Sequence, residues 1–198
     1  MVRRDHVAGL LLAAGAGRRF GRPKALVELD GERMVDRGVR MLREAGCGPV
    51  VVVMGAASIE VIGAVVVPNQ EWRTGMGSSL RTGLAALPAA CPAVVIALVD
   101  QPLVTSAAVR RLIEAYEGGA QVAVATYGGA PRNPVLIAAE HFAAVSESAV
   151  GDAGARSFLR DHTELVTKVP CDDIAAPDDI DTPEDLAALR TRLAAPPG

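Results

Sequence analysis

Glycines and cations are concentrated in one short stretch near the start of the chain, between Val7 and Lys24. The stretch begins as an apolar run, which predicts a buried strand. The glycines and cations that follow are Gly15, Gly17, Arg18, Arg19, Gly21, Arg22 and Lys24. Glycine lets backbone N–H groups turn toward a ligand that approaches closely, and the cations supply positive charge at the same place. A strand that leads into such a loop indicates a site for a polyphosphate.

The spacing of this loop excludes two common phosphate-binding motifs. A P-loop carries Gly-Lys followed by Ser or Thr, whereas Lys24 follows Pro23 and precedes Ala25. The dinucleotide fingerprint Gly-x-Gly-x-x-Gly has Phe20 in the position of its third glycine. An ordinary surface turn is the remaining alternative, and four cations within it, in a chain of formal net charge −3, argue against that alternative.

Carboxylates follow at two places where a metal ion could be held. Asp100 comes directly after an apolar run, and Mg²⁺ prefers one or two carboxylates together with substrate phosphates. A turn or capping role is the alternative for this aspartate. A second acidic group, Asp178, Asp179 and Asp181, precedes a predicted helix. Acidic residues there are also stabilised by the helix dipole, so the residues alone leave both roles open for this group.

Strands and helices alternate along the chain, and the strands predicted at 49–54 and 93–99 are apolar throughout, which indicates burial on both faces. We therefore predict one α/β domain over residues 1–198, with three layers and a mostly parallel, Rossmann-like sheet. Ligands of such sheets bind beyond the carboxyl ends of the strands, where both the glycine-rich loop and Asp100 fall. The predicted helices are 33–45, 79–87, 106–117, 139–145, one from 151 to about 160, and one that begins at Thr182-Pro183 with a capping box.

Three local features are expected between these elements. A loop with a short helix is predicted over 55–63, and a glycine- and proline-rich loop over 128–134. Ser78 or Ser79 is expected to cap the helix over 79–87.

The composition limits the function classes. The net charge argues against a general nucleic-acid binder, and no apolar run reaches the length of a membrane span. Cys47, Cys91 and Cys171 stand far apart without metal or disulfide spacing, so we expect buried free thiols in a reducing cytoplasm. Arg3-Arg4 before the first apolar run imitates a short export signal, but Asp5-His6 interrupts it, and we favour a cytoplasmic protein.

The residues from Leu12 to Leu26 resemble the signature loop of the MobA-like NTP transferase family, the nucleotidyltransferases related to the molybdenum cofactor enzymes. The resemblance implies a nucleotidyltransferase fold of the GT-A type, in which this loop wraps an NTP triphosphate. Lys24 and Arg18 are then expected to act in catalysis with Asp100. The loop residues expected on the nucleotide are Leu12, Ala13, Ala14, Gly15, Gly17, Arg19 and Lys24.

Other stretches resemble the same family. Asp100-Gln101-Pro102 has the form of its cytidylyltransferase branch, and 179–186 resembles its closing motif. The resemblance implies that Asp100 and Asp181 hold Mg²⁺, with Asp179 the weaker candidate. It also implies a nucleobase pocket at Gly75 and Ser79. The segment 151–156 resembles a family segment near the acceptor.

Two arginines become candidates for the acceptor. Arg156 closes the segment 151–156, and Arg132 lies in Arg132-Asn133-Pro134, where relatives carry a Gly-x-Pro turn. This departure leaves the identity of the acceptor open.

The implied reaction transfers CMP from CTP to the terminal phosphate of molybdopterin or the molybdenum cofactor and releases pyrophosphate. Ala14, in place of the glycine typical of the guanylyltransferase branch, favours a small base. We expect a monomer or weak dimer, with a molybdoenzyme or its chaperone as a further partner. A guanylyltransferase, a sugar-phosphate nucleotidyltransferase and a non-catalytic NTP-binding chaperone remain as alternatives.

Overall fold

A computed structural model describes residues 6–194 of the chain. Six α-helices surround a seven-stranded sheet, and a two-stranded hairpin stands apart from it. The strands are β1 (Ala8–Ala13), β2 (Glu28–Leu29), β3 (Glu32–Arg33), β4 (Val50–Met54), β5 (Val65–Pro68), β6 (Ala93–Leu98), β7 (Val122–Tyr127), β8 (Ala130–Ala138) and β9 (Val166–Pro170). The helices are α1 (Met34–Glu44), α2 (Met76–Ala85), α3 (Ser106–Glu117), α4 (Phe142–Ser148), α5 (Arg156–Asp161) and α6 (Pro183–Ala194).

The strand order of the sheet is β5-β4-β1-β6-β8-β7-β9, and β8 is antiparallel to both of its neighbours. The remaining pairs are parallel, which confirms the predicted mostly parallel sheet. The chain runs from β1 outward to β4 and β5, and then returns to place β6 on the other side of β1. The carboxyl ends of β1 and β6 therefore form the switch point at which such sheets bind ligands.

The core has two halves, one on each face of the sheet, as three layers require. Leu11 and Ala13 of β1 pack on the side of α1 and α3, whereas Leu12 and Ala14 pack on the side of α2. This alternation follows from the two-residue period of a strand. Central strands buried on both faces explain why β4 and β6 are apolar at every position.

Two of the expected connections are wrong. The segment 128–134 is not a loop, because Gly128 and Gly129 alone form the turn of the hairpin between β7 and β8. Their φ values of 56° and 78° are those of the tight turn that suits twisted strands. The segment 55–63 contains no helix. Gly63 has a φ of 82°, outside the helical region, and Val61 is buried in the core.

Two helix caps are present among the described residues, and one expected cap is not. Thr105 caps α3, since its Oγ1 accepts from the amide of Ala108, and Thr182 forms a reciprocal capping box with Asp185. The expected cap by Ser78 or Ser79 is wrong, because α2 begins at Met76 and both serines lie buried in its first turn.

The three cysteines are buried and free, as expected. Arg3 and Arg4 lie outside the described residues. No described helix has the length and hydropathy needed to cross a bilayer.

Candidate active site

The glycine-rich loop folds back on itself after β1. Gly17 has a φ of 60°, and a Cβ at this position would lie 2.0 Å from the carbonyl oxygen of Arg22, so only glycine fits. The amide of Phe20 donates to the carbonyl of Gly17, and the ring of Phe20 packs against the core. Phe20 therefore anchors the loop at the position where a dinucleotide-binding loop would carry glycine.

Lys24 joins the two groups of carboxylates. Its Nζ lies 2.8 Å from Oδ2 of Asp100 and 2.5 Å from Oδ1 of Asp181. Arg19 adds a bond of 2.8 Å to Oδ2 of Asp181. Burial works to lower the pKa of Lys24, but the two carboxylates outweigh burial and raise it. The hydrogen bond from Lys24 in turn lowers the pKa of Asp181.

Hydrogen bonds of the backbone fix the positions of Asp100 and Asp181. The carbonyl of Asp100, directly beyond β6, accepts from the amide of Ile180 at 2.8 Å, and the Ile180 side chain is buried in the core. Asp185 accepts from the amides of Asp181 and Thr182, at 2.9 and 2.8 Å. The backbone on both sides of Asp181 is thus fixed, and its carboxylate is left to meet Lys24.

Asp179 makes a different contact. Its Oδ1 accepts from Nε2 of Gln101 at 2.8 Å. Burial raises the pKa of Asp179, and the charges of Asp100 and Asp181 act in the same direction. Asp181, and not Asp179, is therefore the carboxylate that contacts Lys24 together with Asp100.

An open cleft of about 500 Å³ lies over these groups. Its walls are formed by the glycine-rich loop, by Asp152, and by five residues of the next segment: Trp72, Arg73, Gly75, Met76 and Ser79. Most of the residues predicted to be functional line it. They are Leu12, Ala14, Gly15, Gly17, Arg18, Arg19, Lys24, Gly75, Ser79, Asp100 and Asp181.

Three predicted residues do not line this cleft. Ala13 is 2% exposed and packs on the opposite face of the sheet, because successive side chains of a strand alternate. Arg132 lies on the exposed first part of β8, and Arg156 lies at the start of α5.

Residues 149–152 pack directly on the first turn of α2. The amide of Gly77 donates to the carbonyl of Gly151 at 2.7 Å, and the amide of Met76 donates to Oδ1 of Asp152 at 3.3 Å. Gly75 has a φ of 117°, and a Cβ there would lie 2.4 Å from the carbonyl carbon of Gly151. The backbone contact therefore requires glycine.

Sequence reasoning did not assign Asp152 and Trp72 to the cleft wall, although both line it. Asp152 stands within a motif expected near the acceptor, but no charge pattern distinguished it from a surface aspartate. Trp72 both packs against the core and lines the cleft. The guanidinium of Arg73 stacks on this ring, 4.4 Å from its centre.

Comparison with known proteins identifies the family. The profile of the MobA-like NTP transferase domain matches residues 9–166. The chain belongs to this family. It is therefore an enzyme of the nucleotidyltransferase class, and the glycine-rich loop and Asp100 fall within the matched residues, whereas Asp181 of the cleft lies beyond them.

Two curated relatives of this MobA-like NTP transferase differ in their names. A protein of Paenarthrobacter nicotinovorans, named nicotine blue oxidoreductase, is 38% identical over 92% of this chain and 96% of its own length. A probable molybdenum cofactor guanylyltransferase of Opitutus terrae is 40% identical over 51% of each chain.

Solved structures share the whole fold. A homologue of Rv0371c from Mycobacterium sp. strain JC1 superposes with a TM-score of 0.84 at 29% identity, covering 96% of this chain and 98% of its own. The manganese complex of Rv0371c from Mycobacterium tuberculosis has a TM-score of 0.79 at 24% identity, covering 94% of this chain and 98% of its own.

Proposed function

We propose that this enzyme transfers CMP from CTP to the terminal phosphate of molybdopterin, or of its molybdenum-loaded form, and releases pyrophosphate. The observation that carries the proposal is the junction of Lys24 with Asp100 and Asp181 at the mouth of the glycine-rich loop. Cations for a triphosphate and oxygen ligands for a divalent metal meet at one point of the cleft. This combination is what nucleotide transfer requires.

In this reaction an oxygen of the acceptor phosphate attacks the α-phosphorus of CTP. The bond from the α-phosphorus to the oxygen that bridges to the β-phosphate breaks, and pyrophosphate leaves with the electron pair. The attacking phosphate is already ionised near neutral pH, so no protein base has to remove a proton. The protein's contribution is to position the two substrates and to neutralise charge.

The cations of the loop have separate tasks in this proposal. Arg18 and Arg19 are exposed on the cleft and hold the outer phosphates, which become the leaving pyrophosphate. Lys24 is less exposed, with 16% of its side-chain surface accessible, and carries its charge to the base of the cleft. It is positioned to neutralise charge as the leaving group departs.

Asp100 and Asp181 fit a magnesium ion. Their carboxylates approach one common cation, Lys24, so the two oxygens already converge, and both are hard ligands of the kind Mg²⁺ prefers. No cluster of three or more potential ligands occurs within residues 6–194. This agrees with an ion that completes its coordination with substrate phosphates and water. When bound, such an ion supplies charge neutralisation at the reacting phosphates.

Ala14 supports the choice of a small base. It lines the cleft, and its carbonyl accepts from the amide of Ala56 at 3.1 Å. The backbone of Gly55 also lies close to this carbonyl, since a Cβ at Gly55 would lie 2.8 Å from the carbonyl oxygen of Ala14. These contacts hold the backbone of Ala14 in place, and in our proposal a pyrimidine fits beside its methyl group more easily than a purine.

Arg132 and Arg156 are our candidates for the anionic acceptor. Neither guanidinium is paired with a carboxylate among the described residues, so each is available to a phosphate. Arg156 stands four residues after Asp152, which lines the cleft, and is the stronger of the two. We further propose a cytoplasmic, monomeric or weakly dimeric enzyme that passes its product to a molybdoenzyme or its chaperone.

The proposal is tested by pyrophosphate release with each of the four NTPs, with and without molybdenum-loaded molybdopterin. We expect release with CTP that depends on the acceptor. Preference for GTP would favour the guanylyltransferase named among the relatives. A sugar phosphate that replaces the pterin would indicate a sugar-phosphate nucleotidyltransferase, and CTP binding without release would indicate a chaperone.

The relative named as an oxidoreductase suggests a control assay. In this chain Phe20 interrupts the Gly-x-Gly-x-x-Gly fingerprint for a dinucleotide, and its ring packs into the core. We therefore expect no consumption of NADH or NADPH by this enzyme with the same pterin acceptor.

A further inference from the structure

We propose that Asn69 is a positioning residue that fixes the hydroxyl of Ser79 as a hydrogen-bond donor toward the nucleobase. The inference deepens the proposed function and rests on it, because it concerns how the same cleft recognises its nucleotide. Asn69 is 5% exposed and does not line the cleft, so it acts through Ser79.

The orientation of the Asn69 amide is determined by its surroundings. Its Oδ1 accepts from the backbone N–H of Glu71 at 2.9 Å, and a backbone N–H can only donate. The Nδ2 group must therefore face the other way, toward α2. Its two hydrogens are directed to Oγ of Ser78 at 2.9 Å and Oγ of Ser79 at 3.0 Å.

The two serines differ in where their own protons go. Ser78 Oγ lies 3.0 Å from the carbonyl of Glu71 and 2.9 Å from the carbonyl of Gly75, so its proton stays within the protein. Ser79 is 4% exposed and lines the cleft. No group among the described residues accepts its proton.

A hydroxyl has one proton and two lone pairs. Because Asn69 donates to one lone pair of Ser79, the proton of Ser79 points elsewhere, and the cleft is the direction left open. Ser79 is thus presented as a donor to an acceptor atom on the edge of the base, such as the ring nitrogen or carbonyl oxygen of cytosine.

The test measures dissociation constants for CTP and for inorganic tripolyphosphate by calorimetry. The ratio of the two constants isolates the contribution of the nucleoside, because effects on the phosphates cancel. Asn69→Asp keeps the shape of the side chain but can only accept, so Ser79 must turn its proton inward. We expect the preference for CTP over tripolyphosphate to fall about five- to tenfold, the value of one neutral hydrogen bond.

Ser79→Ala should give the same fall, and Asn69→Ala should cause no further loss once Ser79 is alanine. The matched control is Ser78→Ala, which removes another partner of Asn69 without touching the cleft. It should lower the melting temperature and leave the preference unchanged.

An unchanged preference in Asn69→Asp and Asn69→Ala would overturn the inference, as would an equal loss in Ser78→Ala. A wild type that binds neither CTP nor GTP better than tripolyphosphate would also overturn it. If Asn69→Asp does not fold, the alanine variants carry the test. Failure of the proposed function can be told apart from failure of this inference. If the enzyme turns over GTP, the preference over tripolyphosphate is measured with GTP, whose base also carries hydrogen-bond acceptors.

Discussion

The ammonium nitrogen of Lys24 lies 2.8 Å from Oδ2 of Asp100, although 76 residues separate them in the chain. Lys24 belongs to the glycine-rich loop after β1 and Asp100 follows the end of β6, and these strands are neighbours at the switch point of the sheet. In the proposed reaction, this contact places the cation for a triphosphate beside the carboxylate for a metal ion. Changing either residue should therefore affect both binding and chemistry.

Lys24→Ala should weaken CTP binding and slow nucleotide transfer together. The cation meets phosphate charge in the ground state and in the transition state, and one charged donor is worth about 3 kcal/mol. Calorimetry and pyrophosphate release measure the two effects. Arg22→Ala is the matched control, because Arg22 is an exposed cation of the same loop that does not line the cleft. Equal effects of the two substitutions would remove Lys24 from the site.

Asp100→Ala should reduce turnover by about a thousandfold, since it removes several kcal/mol of charge stabilisation from the transfer step. Binding of the pterin alone should barely change. EDTA should abolish the wild-type reaction, and added Mg²⁺ should restore it. Asp181→Ala should follow the same pattern.

Asp178→Ala serves as the control for these substitutions. Asp178 is exposed, lies 3.5 Å from Arg192 and does not line the cleft. Its loss should leave turnover unchanged. Normal turnover of Asp100→Ala would show that this carboxylate is not part of the reaction.

Ala14→Gly should raise the use of GTP about tenfold without reversing the preference for CTP, because one methyl-sized contact is worth about 1–3 kcal/mol. Competition kinetics at fixed pterin and Mg²⁺ measure the selectivity. Ala13→Gly is the control, since the Ala13 side chain faces away from the cleft. Unaltered selectivity in Ala14→Gly would leave the Ser79 side of the cleft to read the base.

The cysteines should resist modification in the folded protein. Burial raises the pKa of Cys47 to about 12 and also raises the pKa values of Cys91 and Cys171. At pH 7.5 a maleimide should therefore label none of the three until urea unfolds the chain. Burial keeps the thiols neutral in the folded protein, whereas in the unfolded chain they ionise near the ordinary thiol pKa of 9.0. The free energy of unfolding should therefore fall as the pH rises above that value. Rapid labelling of the native protein would contradict this prediction.

The sequence predicted the position of a site residue where that position follows from the residues next to it in the chain. The apolar runs of β1 and β6 predict two buried strands, and the residues that follow them must then lie at one edge of the sheet. For this reason Lys24 and Asp100 could be assigned to one site before their distance was known.

The acidic group before α6 could not be resolved in this way. The sequence left both a helix-start role and a metal-binding role open for these aspartates. In the structure the helix-start role falls to Asp185, which accepts hydrogen bonds from backbone amides. Asp179 contacts Gln101 instead. Whether Asp179 or Asp181 contacts Lys24 depends on how the backbone turns between these two residues. No sequence pattern encodes that turn.

Asn69 was missed for a similar reason. A buried asparagine carries no periodicity or spacing, and its importance appears only when the hydrogen bonds of α2 are traced. The hairpin at Gly128 and Gly129 was missed because a pair of glycines marks a two-residue turn as readily as a loop.

The position of Asp181 late in the sequence also fixes when its contact with Lys24 can form during synthesis. All seven strands of the sheet have been synthesised by Pro170, but the partner of Lys24 lies 157 residues after it. At about 5–20 residues per second, that distance corresponds to roughly 8–30 s of translation. The growing chain thus has every strand of this sheet before it has the second carboxylate that contacts Lys24.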